Sequence, residues 1–468
     1  MSRALTPVIA LLLIARLLCC VGCGTGNAAL VKVAGGSVAL THVRVIDGTG
    51  APAKEDQTIV IEHGRIREIG DADAVMSTGV AQTMDLHGRT VIPGLVGMHD
   101  HLFYALPPGS EYRGMPSFPR LYLATGVTSV RTAGATDLTA ELQVKKLIDS
   151  GRELGPHLYL TSPYVDPDPS SPENPAGYAA IIQQLMDKGI NSVKLYTRAR
   201  QSEVAAVIQT AHRRGVQVTG HLCAVGFSEA AQLGIDNLEH GLIVDTEFYS
   251  RRQPDVCPEW TLVVEELLRM NVRGPEIQRL IQTLVAHQVA ITSTLAVFES
   301  FSGARIPNLD GRAMPLLTPS LQTAYLAKQT QVARIPDVIW GAMLKKEMAF
   351  ERAFVEAGGL LIAGADPTGW GGVLAGFGDQ HGLELLVEAG FTPEQAIRVA
   401  TYNGALFLKQ ADRIGTLAGG KEADLVVIRG NPAASISDIR QTEIVFKDGV
   451  GYDAAAILRT LIGQVGRQ

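Results

Sequence analysis

Two histidines separated by a single residue, His99 and His101, end the apolar segment VIPGLVGMHDHLFY at residues 91–104. In a β-strand, side chains two residues apart point to the same face, so both imidazoles can reach one point in space. Imidazole nitrogen is a common ligand of zinc and related divalent ions. The spacing therefore indicates one metal ion, although two solvated or hydrogen-bonded histidines would show the same pattern.

Four further groups that could bind a metal, or lie beside one, occur where later apolar segments end. They are Lys194 in NSVKLYT, His221 in VQVTGHL, His240 in DNLEHG and Asp366 in LLIAGADPT. Each alone has a structural explanation, as a hydrogen-bonded histidine, a surface lysine or a turn aspartate. Their recurrence at the ends of successive segments favours a metal site. We interpret the remaining histidines as structural or surface residues: His42, His63, His87, His157, His212, His287 and His381.

The elements that would position these groups alternate between strand and helix patterns from residue 91 to residue 408. The predicted strands are 91–98, 127–132, 157–161, 191–196, 216–221, 236–239, 289–294 and 360–365. Eight strands, each followed by a helix or connection, predict an α/β fold with a (β/α)8 TIM barrel, whose chemistry lies at the carboxyl ends of the strands. A doubly wound open sheet is the alternative.

The two ends of the chain have a different, β-rich pattern with short turns. We expect residues 29–90 and 409–468 to form one small β-sandwich domain, with the barrel of residues 91–408 inserted between them. A long stretch rich in proline and turn residues, 295–343, follows the seventh predicted strand. At that position it would form a lid or substrate loop.

Taken in order, the motifs resemble the amidohydrolase superfamily of metal-dependent hydrolases. The resemblance rests on PGLVGMHDH at residues 93–101, on Lys194, on the two later histidines, on GAD at 364–366 and on the closing IGTLAGGKEADLVV. It covers nearly all of the chain beyond the leader. The exported imidazolonepropionase-like and prolidase-like members are the most similar.

The resemblance implies the ligand set and the reaction. His99, His101 and Asp366 would bind one divalent ion, His221 and His240 a second, and Lys194 would bridge both as a carbamate formed with carbon dioxide. We expect two ions, with zinc as the metal, that share a hydroxide, and Asp366 would move its proton to the leaving amine. A free lysine ammonium would repel two cations, which supports the carbamate.

The substrate is expected to be a small molecule with an amide bond, such as a dipeptide or an N-acyl amino acid. Tyr196 and Arg198 follow the predicted bridging lysine, and Arg131 ends the second predicted strand. A guanidinium at either place could hold a substrate carboxylate, or could form an ordinary salt bridge. Two alternatives stay open: a mononuclear cyclic-amide or imidazolone-type hydrolase or deaminase, and a binding relative without catalysis.

The composition excludes some partners. The net charge is −6 and no run of lysine and arginine occurs, so we expect no nucleic-acid partner. A homo-oligomer is expected.

The first residues predict export. An apolar stretch from Ala4 to Ala15 follows Arg3, and small residues occupy positions 22–29, which is the layout of a signal peptide ending near residue 28. Processing at Cys23 would instead leave a lipid anchor, so the chain would be periplasmic or secreted, or a lipoprotein. Beyond the leader only Cys223 and Cys257 remain, and they could pair in an oxidising compartment.

Overall fold

The computed structural model describes residues 27–75, 79–104, 112–113, 117–305, 311–335 and 338–467. Nearly all of the expected signal peptide, including Cys23, lies outside these ranges. Within them, none of the helices combines the length and the apolar character needed to cross a membrane.

The chain begins and ends with β-strands that belong to one sheet. The amino-terminal strands are β1 (Val31–Val33), β2 (Ser37–Val45), β3 (Lys54–Glu62), β4 (Arg65–Asp71), β5 (Gln82–Asp85) and β6 (Arg89–Pro93).

The central part then alternates strands with helices. Its strands are β7 (Leu95–Asp100), β8 (Phe103–Tyr104), β9 (Tyr112–Arg113), β10 (Val127–Thr132), β11 (His157–Tyr159), β12 (Ser192–Leu195), β13 (Gln217–Gly220), β14 (Asn237–Glu239), β15 (Ala290–Ser293) and β16 (Leu361–Ala363). Its helices are α1 (Ser117–Ala124), α2 (Leu138–Asp149), α3 (Pro175–Asp187), α4 (Gln201–His212), α5 (Phe227–Leu233), α6 (Trp260–Arg269), α7 (Pro275–Ala286), α8 (Leu295–Glu299), α9 (Pro319–Val332), α10 (Trp340–Glu356), α11 (Phe377–Glu388), α12 (Pro393–Arg398) and α13 (Gly404–Phe407).

The carboxyl-terminal part adds β17 (Leu425–Arg429), β18 (Thr442–Lys447) and β19 (Val450–Asp453) to the first sheet, followed by α14 (Ala454–Thr460). The nine strands pair in the order β1-β19-β18-β17-β6-β2-β3-β4, and β5 pairs with β2. Most pairs are antiparallel, but β2 runs parallel to both β5 and β6. The sheet is therefore mixed and built from both chain ends, while its division into a two-layer sandwich stays a prediction.

The first predicted strand, 91–98, is in fact divided between two sheets. Val91 and Ile92 in β6 pair with β17 of the flanking sheet, whereas β7 begins at Leu95 and pairs with β10. Gly94 separates the two strands, and a Cβ atom at this position would lie 2.0 Å from Oγ1 of Thr128. Only glycine allows the chain to pass that close to its neighbour.

The ends of the other predicted strands agree with the structure to within two residues. β7, β10 and β11 pair in parallel, and β12 to β16 form a second parallel sheet in sequential order. A parallel bridge between Thr161 and Ser192 links the two sheets, and the backbone N–H of Asp366 donates to His99 O at 2.8 Å. A doubly wound sheet would reverse its strand order in the middle. The sequential order instead supports a TIM-barrel-like α/β fold.

The long connection after β15 is more regular than its composition predicts. Residues 295–343 contain α8, a 3₁₀ turn at Met314–Leu316, α9 and the start of α10. Pro319 occupies the first turn of α9, where its missing N–H has no cost, and Thr318 Oγ1 accepts from Leu321 N at the helix start. Proline therefore starts a helix here, although a proline-rich composition by itself predicts a loop.

Candidate metal centre and active site

The six predicted metal-site residues meet in one cavity at the carboxyl ends of five parallel strands. His99 lies next to the last residue of β7 and His101 directly follows that strand, while Lys194 lies in β12. The other three residues, His221, His240 and Asp366, come directly after or close to the ends of β13, β14 and β16. All six line a cavity of about 540 Å³. This location is the one at which TIM-barrel enzymes place their chemistry.

His99, His101 and Asp366 form the tightest group. Asp366 Oδ1 lies 3.4 Å from His101 Nε2 and 3.7 Å from His99 Nε2, and all three side chains are buried. The three donor atoms lie within 4.8 Å of one another, which is the separation expected of ligands to one ion. Nitrogen and carboxylate oxygen together suit zinc and similar divalent metals.

His240 and His221 extend the site on the other side of His99. The His240 ring centroid is 4.5 Å from that of His99 and 4.5 Å from that of His221, and His240 Nε2 lies 3.9 Å from Asp366 Oδ2. His240 Nδ1 is hydrogen-bonded to Thr294 Oγ1 at 2.7 Å, which directs Nε2 into the cavity. The arrangement provides nitrogen donors next to the first group.

Lys194 lies at the floor of the cavity with almost no solvent exposure. Its Nζ has no hydrogen-bond partner and is 3.6 Å from Glu239 Oε1. Burial lowers the pKa of Lys194, although the negative charge of Glu239 opposes the shift. A buried lysine nitrogen without a hydrogen bond, beside several imidazoles, fits a group that is completed by a metal centre.

Glu239 organises this floor and was not recognised in the sequence. It is fully buried, and its Oε2 lies 2.8 Å from His99 Nδ1 while its Oε1 accepts from Arg131 and from Thr219. The bond to Nδ1 leaves His99 Nε2 for the cavity, as carboxylates commonly do for metal-binding histidines. The available signal was a glutamate inside a buried strand, directly before a candidate ligand.

Three of the four histidines of the centre lie where the neutral, metal-binding form is favoured. Burial lowers the pKa of His99 and His240, and it lowers the pKa of His221 to about 3, helped by the positive charge of Lys194. Because only a neutral imidazole has a free lone pair, this environment suits ligation.

Asp366 is ionised and firmly placed. Burial alone would raise its pKa, but the neighbouring histidines, His99 foremost, hold the pKa well below its ordinary value. Thr368 Oγ1 donates to Asp366 Oδ1 at 2.6 Å, and the residue has a positive φ of 45°. His240 also has a positive φ, of 70°. Such conformations are uncommon outside glycine and concentrate at functional sites.

The three residues expected to contact substrate have different positions. Tyr196 lines the cavity, with its ring 5.1 Å from that of His221. Arg198 does not line the cavity. Its guanidinium and its backbone N–H both donate to Asp166, which does line the cavity. Arg198 is therefore engaged in an ion pair at the cavity edge.

The position of Arg131 contradicts a role in holding substrate. Its side chain is buried below the site and donates to Met98 O, Asn237 Oδ1 and Glu239 Oε1 at 2.7–2.8 Å. A guanidinium with these three acceptors inside the strand layer cannot reach the cavity. Arg131 instead neutralises the buried charge of Glu239.

Asp100, between the two histidines, points away from the cavity as strand alternation requires. It is fully buried, and burial together with the neighbouring carboxylate of Asp379 raises its pKa well above the ordinary value. Sequence reasoning also did not identify several side chains that line the cavity: Phe103, Thr136, Tyr164, Asp166, Val297, Phe298, Phe301 and Thr368.

A second group of possible ligands, His157, Asp424 and Asp448, lies at the opposite ends of the strands. Burial alone would lower the pKa of His157, but its ion pairs with the two carboxylates, each at 3.3 Å, outweigh burial and raise the pKa to about 9. Lys447 Nζ also lies 2.8 Å from Asp448. With two cations already facing two carboxylates, we interpret the group as an ion-pair cluster.

The comparisons with known proteins agree with this architecture. Imidazolonepropionase of Nocardia farcinica is 36% identical over 104 residues, which is 22% of this chain and 26% of that protein. Imidazolonepropionase of Herpetosiphon aurantiacus is 22% identical over 433 residues, covering 82% of this chain and 89% of that one. The first of these matches thus spans about a quarter of its relative's length.

A solved structure of a Xaa-Pro dipeptidase with bound methionine in the active site aligns with a TM-score of 0.67 at 21% identity, over 89% of this chain and all of that one. At this identity the likeness shows the fold. The model of the amidohydrolase family matches residues 90–450, which include all six residues of the centre. The chain therefore belongs to the amidohydrolase family of hydrolases.

Proposed function

We propose that this protein hydrolyses a carbon–nitrogen amide bond of a small molecule with the help of bound divalent metal. One observation carries the proposal: six residues from five strand ends converge on a single cavity, with ring nitrogens of His99, His101 and His240 facing Asp366. These donors fit metal ions, and the family supplies the reaction type.

We propose two ions, with zinc as the metal. His99, His101 and Asp366 would hold one, His221 and His240 the second, and Lys194 would join both after carboxylation. Support comes from the buried Lys194 Nζ, which lacks a hydrogen-bond partner and whose lowered pKa favours the neutral amine that reacts with carbon dioxide. When bound, the ions would activate water and polarise the scissile carbonyl.

Asp366 is the proposed proton carrier. Its ionised carboxylate can accept the proton of the attacking water and deliver it to the leaving nitrogen, which is general acid–base catalysis. The hydrogen bond from Thr368 to Oδ1 orients the group. Glu239 and Arg131 act indirectly, since they hold His99 in place and balance charge below the site.

The proposed substrate is a dipeptide or an N-acyl amino acid. A cavity of about 540 Å³ lies within the size range of small-molecule sites. Tyr196 lines this cavity and is the proposed polar contact. The name of the structural relative, a Xaa-Pro dipeptidase, is consistent with such a substrate.

A mononuclear hydrolase of cyclic amides or imidazolones, or a deaminase, is the second candidate. It is favoured by the names of the sequence relatives, which are imidazolonepropionases. Such an enzyme would need His99, His101 and Asp366 but not a modified lysine.

We also propose that the chain is exported. The apolar leader supports this, as does the disulfide that joins Cys223 to Cys257, because disulfides persist in oxidising compartments. Recovery of the intact chain with Met1 from the cytosol would contradict it. The lipid anchor at Cys23 and the homo-oligomer stay predictions.

Metal analysis of reconstituted protein, combined with an amide hydrolysis assay, tests the proposed centre. We expect about two divalent ions per chain, and His240→Ala should lose metal and most activity. His287→Ala is the matched control, because this exposed histidine at the end of α7 is remote from the cavity. One ion with full activity would favour the mononuclear candidate, and a metal-loaded protein that cleaves no amide would contradict the proposed function.

A further inference from the structure

Four aromatic rings form a continuous stack that starts in the cavity. The Phe301 ring lies 4.7 Å from that of Trp340 at an interplanar angle of 25°, and Trp340 stacks on Trp260 at 4.4 Å and 16°. Phe298 lies 6.3 Å from Trp340 at 22°. These residues come from α6, from α8 and the turn after it, and from the start of α10.

The stack reaches the metal centre through Phe298. Its ring packs edge-on against His240, with centroids 5.4 Å apart and an interplanar angle of 88°, and both Phe298 and Phe301 line the cavity. A substituent attached to the scissile amide on this side would therefore lie against aromatic rings. Aromatic rings pack favourably on other rings at centroid separations of 4.5–7 Å.

Gly369 and Trp370 hold the aromatic wall formed by Phe298 and Phe301 in place. Trp370 Nε1 donates to Ser300 O at 2.8 Å, next to Phe301. Gly369 has a φ of +60°, and a Cβ atom there would lie 2.9 Å from Phe301 Cζ. The glycine therefore makes room for the Phe301 ring, so the wall is present before a ligand arrives.

Other lining residues of the cavity, which follow β10, β11 and β12, are polar. They are Asp166, Thr136, Tyr164 and Tyr196, and Asp166 is already paired with Arg198. On the aromatic side, the described lining residues Val297, Phe298, Phe301 and Gly369 carry no charge. The polar and the apolar parts of one substrate would therefore contact different groups of lining residues.

We propose that Phe298 and Phe301, with Trp340 packed behind them, form a subsite for a flat apolar group, so that the preferred substrate is an amide bearing an aromatic ring next to the scissile bond. The inference rests on the proposed function, which it makes more specific. It assigns substrate selection to the connection after β15 rather than to the arginine that follows Lys194.

Calorimetric binding to the metal-loaded protein tests the subsite without relying on turnover. Benzamide carries a phenyl ring where acetamide carries a methyl group, and the two share the primary amide. We expect benzamide to bind with a Kd lower by about 10- to 100-fold, the discrimination that an apolar pocket typically provides. Phe301→Ala should abolish most of this difference. Phe301→Tyr keeps the ring and should retain it.

Phe301→Leu is the control for a folding defect in Phe301→Ala, because leucine keeps much of the apolar volume but lacks the flat ring. We expect Phe301→Leu to lose the preference for benzamide as Phe301→Ala does. Equal Kd values for the two amides on the unsubstituted protein would overturn the subsite. So would a Phe301→Ala variant in which the affinities for benzamide and acetamide fall by the same factor. Binding is measured separately from hydrolysis. If the protein prefers benzamide but cleaves no amide, the proposed function is wrong and the subsite stands.

Discussion

At the scale of single residues, Asp366 combines two proposed roles, metal ligand and proton carrier. It lies close enough to two histidines to share an ion with them, and its positive φ aims the carboxylate into the cavity. Thr368 fixes Oδ1, which leaves Oδ2 on the side of His240. One carboxylate thus faces both proposed ligand groups, where a proton carrier is needed.

Substituting this carboxylate by an amide separates proton transfer from metal binding. Asp366→Asn preserves the shape and one ligand oxygen but cannot accept a proton, so we expect kcat to fall by at least about 10²–10⁴-fold. Metal content should fall less, because the histidine ligands remain. Asp412→Asn, an exposed aspartate in the turn before β17, should leave both quantities unchanged.

The measurement is turnover together with metal content on the same samples. An Asp366→Asn protein with full metal and near-normal turnover would show that another group carries the proton.

At the scale of elements, the ligands sit at strand ends while the loops that follow are fixed separately. His221 comes just after β13, and two residues later Cys223 is joined to Cys257 in the segment before α6, with Cα atoms 4.9 Å apart. Thr246 Oγ1 donates to Cys223 O at 2.6 Å. The covalent link therefore restrains a loop that carries a proposed ligand.

Breaking this link should weaken both the fold and the His221 side of the site. The disulfide closes a loop with a sequence separation of 34, so its loss should reduce the free energy of unfolding by about 2–4 kcal/mol. Denaturant unfolding and metal content, each measured with and without reductant, check this.

The double variant Cys223→Ser, Cys257→Ser is the control, because reductant should have no effect on it. If reductant destabilises that variant as much as the unsubstituted protein, the effect does not come from this disulfide. Free thiols at both positions in protein from the native cell would contradict both the bond and the proposed export.

At the scale of the whole molecule, the flanking sheet meets the parallel strands at the end opposite the cavity. His157 begins β11, while Asp424 precedes β17 and Asp448 lies in the turn between β18 and β19; His157 Nε2 is 3.3 Å from an oxygen of each. The cluster thus joins residues from the two parts of the fold.

This contact should make stability depend on pH. Burial would lower the pKa of His157, but the ion pairs with the carboxylates raise it to about 9, above the ordinary value of 6.5. A raised pKa means that the stabilisation is complete below pH 6.5 and is lost as the pH rises through about 9. We expect a loss on the order of 1–3 kcal/mol over that interval.

Unfolding free energies of the unsubstituted protein and of His157→Gln, measured from pH 6 to pH 10, check this expectation. The difference between the two should shrink as the pH rises, and the subtraction removes the titration of other groups. A difference that stays constant with pH would show that His157 carries no charge in this contact.

The sequence by itself determined the parts of the protein that depend on local pattern. The spacing of His99 and His101 follows from the two-residue period of a strand, and β10, at Val127–Thr132, was predicted to its exact ends. The strand ends also placed Lys194, His221, His240 and Asp366 at one face, because parallel strands in a barrel-like layer end together.

Tertiary structure alone decided which polar groups face the cavity and which support it. Glu239 meets His99 across 140 positions and Arg131 across 108, so no local pattern could show that Arg131 neutralises a buried carboxylate instead of contacting substrate. The stack of Phe301, Trp340 and Trp260 likewise unites three separate segments. Side-chain roles of this kind depend on which distant residues the fold places in contact. Strand periodicity depends only on neighbours along the chain.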